Sequence, residues 1–205
     1  MCRDQSYFDR VHIFAPILHR GRYFSWAGQS TKNEPRNCLQ YVMWTLAASL
    51  SAQFQHVRDS LYKDSKEMLE ILDWKDNEMD SVDIEQAQAW ILLAIYEFMQ
   101  TNYRRGWMSA GRAFRLVQLM RLYGIDVPNS PTMQRNAAAQ SNWIEMEEKR
   151  RTFWMAYILD RFVSMRNEGP LTINEQVVRP LSLSLHWLCV QLKCVNLGFY
   201  SSSGS

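Results

Sequence analysis

The sequence lacks the close cysteine pairs from which structural zinc sites are built. Its four cysteines, Cys2, Cys38, Cys189 and Cys194, are scattered, and no C-x-x-C occurs. A structural zinc site wants four ligands, usually supplied in close pairs. Cys189 and Cys194 form a loose group with His186, but a fourth ligand is missing. Reduced, structurally idle thiols in an intracellular protein are the preferred reading. No cofactor is expected in this segment.

The chain also lacks a charge excess. Its formal net charge is +2, whereas a self-sufficient nucleic-acid binder carries a larger excess gathered in one patch. Residues 1–10 are not expected to be a signal peptide, because they carry charge and no apolar run. There is no clean membrane span either. The nearest, residues 181–199, is broken by His186, Gln191, Lys193 and Asn196, so no membrane association is expected. Catalytic signatures are missing as well. No G-x-S-x-G, H-E-x-x-H, G-x-x-x-x-G-K or G-x-G-x-x-G occurs. None of His12, His19, His56 and His186 stands beside a Ser or Cys in a nucleophile setting. The chain is therefore not read as an enzyme.

What is present is a globular composition. The sequence is 47% hydrophobic and 21% charged, with eight Trp, nine Tyr and nine Phe, which excludes a disordered chain. Apolar residues recur at helical spacing. Short helices broken near Pro16 are expected between Tyr7 and Trp26, then a polar loop over residues 27–37. Leu39, Val42, Met43, Leu46, Ala47 and Leu50 predict an amphipathic helix. Val57 to Leu72 predicts a second. After a polar break at residues 75–81, Asp83 and Gln86 form a capping-box pattern for a strongly apolar helix through Met99. Residues 103–123 predict a further helix with Gly124 as its C-terminal cap. Within it, Gly106 and Gly111 permit close packing. A linker precedes the last clear helix, Trp143 to Met165, which Gly169-Pro170 ends. The fold class is all-α, with antiparallel helical hairpins forming part of a larger helical domain and an irregular C-terminal tail.

Several polar groups admit a functional and a structural reading. Arg104, Arg105, Arg112 and Arg115 fall on one side of a helix, with Trp107, Ala110, Phe114 and Val117 opposite. They could form a phosphate-binding stripe, but a charged face packed near the acids of another segment is preferred. Glu145–Lys149 and Glu147–Arg151 are spaced for i,i+4 pairs. Asp160 interrupts an apolar run and needs a partner if buried. An arginine of the basic helix is the expected one. Trp90, Leu93 and Tyr96, followed by Gly106, Ala110 and Ala113, resemble one tetratricopeptide hairpin, of which only one copy exists.

Three stretches in order resemble the fungal-specific transcription factor domain, the middle homology region of zinc-cluster regulators. The first is Tyr7-Phe8-Asp9-Arg10-Val11-His12 with Pro16-Ile17-Leu18-His19-Arg20. The second starts at Ala87-Gln88-Ala89-Trp90 and runs through Gly106-Trp107-Met108 to Gly111-Arg112-Ala113. The third is Glu147-Glu148-Lys149-Arg150-Arg151-Thr152-Phe153-Trp154, then Leu159-Asp160-Arg161 and Gly169-Pro170-Leu171-Thr172-Ile173. The signature residues of the resemblance are Trp90, Gly106, Arg112, Arg151, Trp154, Asp160, Arg161 and Pro170, and a structural role is expected for them.

The resemblance implies a nuclear, all-helical domain that modulates transcription by RNA polymerase II. It also implies a separate N-terminal cluster in which six cysteines hold two zinc ions and read DNA. Neither zinc nor DNA binding can be placed on residues of this chain. Partners are expected to be proteins or a small-molecule effector in an apolar pocket between helices. Dimerisation belongs to the full-length factor. The alternative is a helical, tetratricopeptide-like interaction scaffold.

Residues 1–178 are expected to be a partial regulatory domain, and residues 179–205 an atypical tail. There Leu181-Ser182-Leu183-Ser184-Leu185 alternates like a strand. Val178-Arg179 can be encoded by GTA-AGA, the pattern of a splice donor, so translated intron or an error of gene prediction is expected. If absent helices cover those of Trp90 and Trp154, the isolated chain exposes apolar surface and associates.

Overall fold

The computed structural model describes residues 3–75, 82–125 and 143–174, and every regular element among them is helical. Two short helices, α1 (Arg3–Arg10) and α2 (Arg20–Ala27), flank the turn that holds Pro16. Helix α3 (Glu34–Ser49) begins inside the segment expected to be loop. The Asn33 side chain accepts from Arg36 N at 3.2 Å, and Pro35 sits in the first turn, where its missing N–H costs nothing. A 3₁₀ segment, Ala52–Val57, leads into α4 (Arg58–Trp74). Helix α5 (Ile84–Met99), α6 (Tyr103–Leu119) and α7 (Trp143–Asn167) complete the set.

Consecutive helices pack as antiparallel pairs. Glu34 at the start of α3 meets Lys75 at the end of α4. Tyr62 and Asp73 of α4 reach Glu97 and Trp90 of α5. Trp90 and Glu97 in turn face Arg112 and Ser109 of α6. Helix α7 runs parallel to α5, with Gln88 beside Thr152 and Phe98 beside Phe162. All sides of α5 are therefore covered, and every residue of it except Ile95 and Met99 is buried. A continuous core of Leu39, Val42, Met43, Trp90, Leu93, Phe114, Phe153 and Trp154 joins the layers.

Some local expectations are corrected. Asp83 does precede α5, but its side chain caps no helical N–H. It takes Asn33 Nδ2 at 3.3 Å, while Gln86 donates to Asp73 at 3.0 Å, so no capping box forms. Helix α6 stops at Leu119 rather than Tyr123. Arg121 turns the chain through the left-handed region at φ 52°, and Gly124 ends a 3₁₀ turn instead. Gly106 is needed, because a Cβ there would lie 2.9 Å from the Phe98 ring, but one at Gly111 would meet nothing within 4 Å. The side chains of Trp90 and Trp154 are themselves buried, while Trp143 and Met165 of the Trp154 helix are exposed. The linker before α7 and the tail, with its strand-like residues 181–185, lie outside the described residues.

Candidate functional site

Burial of charge in this fold is organised into three braces. In the first, Glu97 is wholly buried. Its Oε1 accepts from Tyr62 Oη at 2.7 Å and Lys66 Nζ at 2.6 Å, and its Oε2 from Ser109 Oγ at 2.6 Å. One carboxylate thus ties α4 and α6 to α5. A buried carboxylate needs this number of donors, since an unpaired charge is far too costly to desolvate. Burial, helped by Glu97, pushes the Tyr62 phenol up to about 12.

In the second brace, Arg22 of α2 lies between Glu85 of α5, at 3.6 Å, and Glu148 of α7. Arg36 adds a contact to Glu85 at 3.3 Å, and the backbone N–H of His19 donates to Glu148 at 2.6 Å. Burial raises the Glu148 carboxyl above its ordinary value, against the opposing pull of the His19 N–H and Arg22.

The third brace explains the Asp-Arg signature. Asp160 is buried, and its partner is not an arginine of α6. Its carboxylate accepts from the backbone N–H of Thr172 at 3.1 Å and of Ile173 at 2.9 Å, and pairs with Arg161 at 3.0 Å. Arg161 lies over the Tyr157 ring at 3.9 Å and donates to the Ile173 carbonyl at 3.2 Å. The two residues hold both polarities of one peptide segment. The expected long-range arginine is displaced because two adjacent backbone N–H groups and a neighbouring guanidinium already fill the carboxylate's capacity.

The other signature residues are dispersed. Trp90 is buried and donates to Asp73 at 3.1 Å. Arg112 stacks over Trp90 at 4.6 Å and approaches Asp73 at 3.4 Å and Glu70 at 3.7 Å. For Arg112 the acid-packed reading of the basic face is therefore the observed one. Arg151 bonds Glu147 at 2.9 Å, and Lys149 bonds Glu145 at 2.6 Å, both at the expected i,i+4 spacing. Trp154 is buried, and its Nε1 has no partner among the described residues. Pro170 O accepts from Ser164 Oγ at 3.3 Å. These residues converge on no single cavity. Sequence reasoning missed Glu97, Glu85 and Asp73. For Glu97 the signal was a carboxylate inside the apolar run Ala87 to Met99, whereas Glu85 and Asp73, at helix ends, gave none.

An open cleft of about 460 Å³ lies on the outer side of α4, lined by Glu67, Glu70, Ile71, Trp74 and Lys75. It is a surface feature, unlike the enclosed apolar pocket between helices that an effector was expected to enter. Trp107, read as lying opposite the arginines of α6, is 54% exposed. Its position is 100° from the buried Gly106 and faces away from α5. Cys38 is buried, and its thiol is pushed up to about 12, mainly by burial. Among the described residues no group of three or more His, Cys, Asp or Glu side chains could hold a metal ion. The group of His186, Cys189 and Cys194 lies outside them. No described helix is long and apolar enough to cross a membrane.

Residues 5–178 match the Fungal specific transcription factor domain. The chain is 66% identical over 176 residues to the pigment biosynthesis transcriptional activator pigB of Monascus ruber, covering 86% of this chain and 32% of that protein. It is 53% identical over 175 residues to the citrinin biosynthesis transcriptional activator ctnR of Monascus purpureus, covering 85% and 30%. It is 48% identical over 180 residues to the azaphilone cluster-specific transcription factor azaR of Aspergillus niger, covering 88% and 39%. The chain thus spans about a third of the length of the curated relatives it matches. No solved structure matches it.

Proposed function

The chain belongs to the fungal-specific transcription factor domain family, and from that premise we propose that it is the regulatory, middle homology part of a fungal zinc-cluster activator of a biosynthetic gene cluster. The observation that carries this reading is the 66% identity to a pigment biosynthesis transcriptional activator over 86% of this chain. In the whole protein, zinc and DNA are assigned to a separate N-terminal six-cysteine cluster, and the site of action to the nucleus. The described residues contribute a helical frame and no catalysis. The signature residues serve that frame: Asp160 and Arg161 pin residues 172–173, Gly106 admits Phe98, and Trp90 with Arg112 joins α4, α5 and α6.

The tetratricopeptide scaffold loses its support. The α5–α6 hairpin exists, but α3, α4 and α7 wrap it into one core rather than leaving a face for a next repeat. The test is disruption of the gene in its native host, followed by transcript profiling. Loss of transcripts from a neighbouring set of biosynthetic genes is expected. Unchanged expression of every such set under producing conditions would overturn the reading. A long-read transcript across codon 178 tests separately whether the tail after residue 178 belongs to the protein.

A further inference from the structure

Helix α6 carries four arginines and no carboxylate. Its buried residues, among them Gly106, Ala110, Ala113 and Val117, face its helical neighbours. At 100° per residue, Arg104, Trp107, Met108, Gly111, Arg115 and Leu119 fall in an arc of about 120° on the other side, with Gly111 near its centre. Three of them are large and apolar yet exposed: Trp107 at 54%, Met108 at 60% and Leu119 at 42%. Arg104 and Arg115 have no hydrogen-bond or ion-pair partner among the described residues, whereas Arg112 is engaged by Glu70 and Asp73.

Gly111 is the informative position. Glycine weakens a helix interior relative to alanine, and nothing among the described residues requires one, because a Cβ would meet none of their atoms within 4 Å. A missing side chain at the centre of an exposed face lets a second backbone come close. Trp, Met and Arg are also the side chains enriched in protein interfaces.

We propose that the outer face of α6 is the docking site for an acidic amphipathic helix of a partner protein. The partner's apolar stripe rests on Trp107 and Met108 and crosses over Gly111. Its flanking carboxylates reach Arg104 and Arg115, which the helical rise places about 16 Å apart, or roughly three turns of a docked helix. A phosphate backbone fits less well, since Met108 and Leu119 would offer it no hydrogen bonds. The inference concerns the surface of α6 and does not depend on the transcriptional reading.

The test uses the full chain and a fluorescein-labelled synthetic helix about five turns long, with a leucine stripe flanked by glutamates. A lysine-for-glutamate version and a mixed-sequence DNA duplex are the competing probes. The glutamate peptide is expected to bind saturably and more weakly as salt rises, with the lysine peptide at least about tenfold weaker. The double change Arg104→Glu with Arg115→Glu is expected to weaken binding about tenfold or more. Gly111→Leu is expected to weaken it comparably while circular dichroism stays that of the parent, which separates blocked docking from unfolding. Undiminished binding by a folded Gly111→Leu variant, or no saturable binding of the glutamate peptide, would overturn the proposal. Tighter binding of the duplex at equal salt would replace it with a nucleic-acid surface.

Discussion

Helices α5 and α6 are the two arms of one hairpin, with 16 and 17 residues, and they solve opposite problems. Helix α5 is enclosed, so each carboxylate and amide side chain on it is matched. Glu85 has Arg22 and Arg36, Gln86 has Asp73, Gln88 has Thr152 and the Ile17 carbonyl, and Glu97 has Tyr62, Lys66 and Ser109. Helix α6 buries one side only, and Arg104 and Arg115, unmatched among the described residues, are exposed at little cost. The contrast shows why charge on the two arms has different meanings. On α5 a carboxylate is a structural pin, because the interior cannot tolerate it alone. On α6, Arg104 and Arg115 have no such partner among the described residues, while Arg112 is held by Glu70 and Asp73.

The largest expected effect comes from breaking the enclosed arm. Glu97→Ala strands Lys66, Tyr62 and Ser109 in a buried site and is expected to cost about 3–5 kcal/mol, read as a lower urea midpoint. If Glu97 were not a pin, the midpoint would stay near that of the parent. The same logic extends to Asp160, the buried carboxylate of α7. Asp160→Ala leaves the N–H groups of Thr172 and Ile173 without their acceptor and is expected to cost about 2–3 kcal/mol. Hydrogen exchange at those two amides checks the mechanism, since both should lose protection before the core does.

The enclosed arm was more legible in the sequence than its pins. The run Ala87 to Met99, apolar but for Gln88 and Glu97, marks a central helix, because only a helix covered on all sides tolerates apolar residues nearly all round. The i,i+4 pairs of α7 were legible for a similar reason, since both partners lie within one periodic element. Partners from distant segments were not. Asp160 meets Thr172 and Ile173, and Glu148 meets Arg22, only once the chain has folded back on itself. Helix ends were also hard to read. Thr101, Arg121 and Glu168 occupy left-handed positions at φ 58°, 52° and 50°, where sequence preference points to glycine. The nearby glycines, Gly124 and Gly169, do not occupy those positions. The exposure of Trp107 was not legible, because an exposed tryptophan runs against the general pattern of burial.

The two glycines of α6 give the finest version of the comparison, since one faces α5 and the other faces solvent. Gly106→Ala drives a Cβ to 2.9 Å from the Phe98 ring, which is itself held against Phe162 at 5.4 Å. The ring has little room to yield, so a loss of about 1–3 kcal/mol is expected from overpacking. Gly111→Ala meets no neighbour within 4 Å, so only the intrinsic preference of the helix remains. Alanine is expected to raise stability there by about 0.5–1 kcal/mol, seen as a higher melting temperature. Opposite signs at two positions five residues apart on one helix separate the packed side of α6 from its open side. A loss at Gly111 as large as that at Gly106 would mean that the outer face is covered within the chain itself, and the arginines there would then belong to the fold.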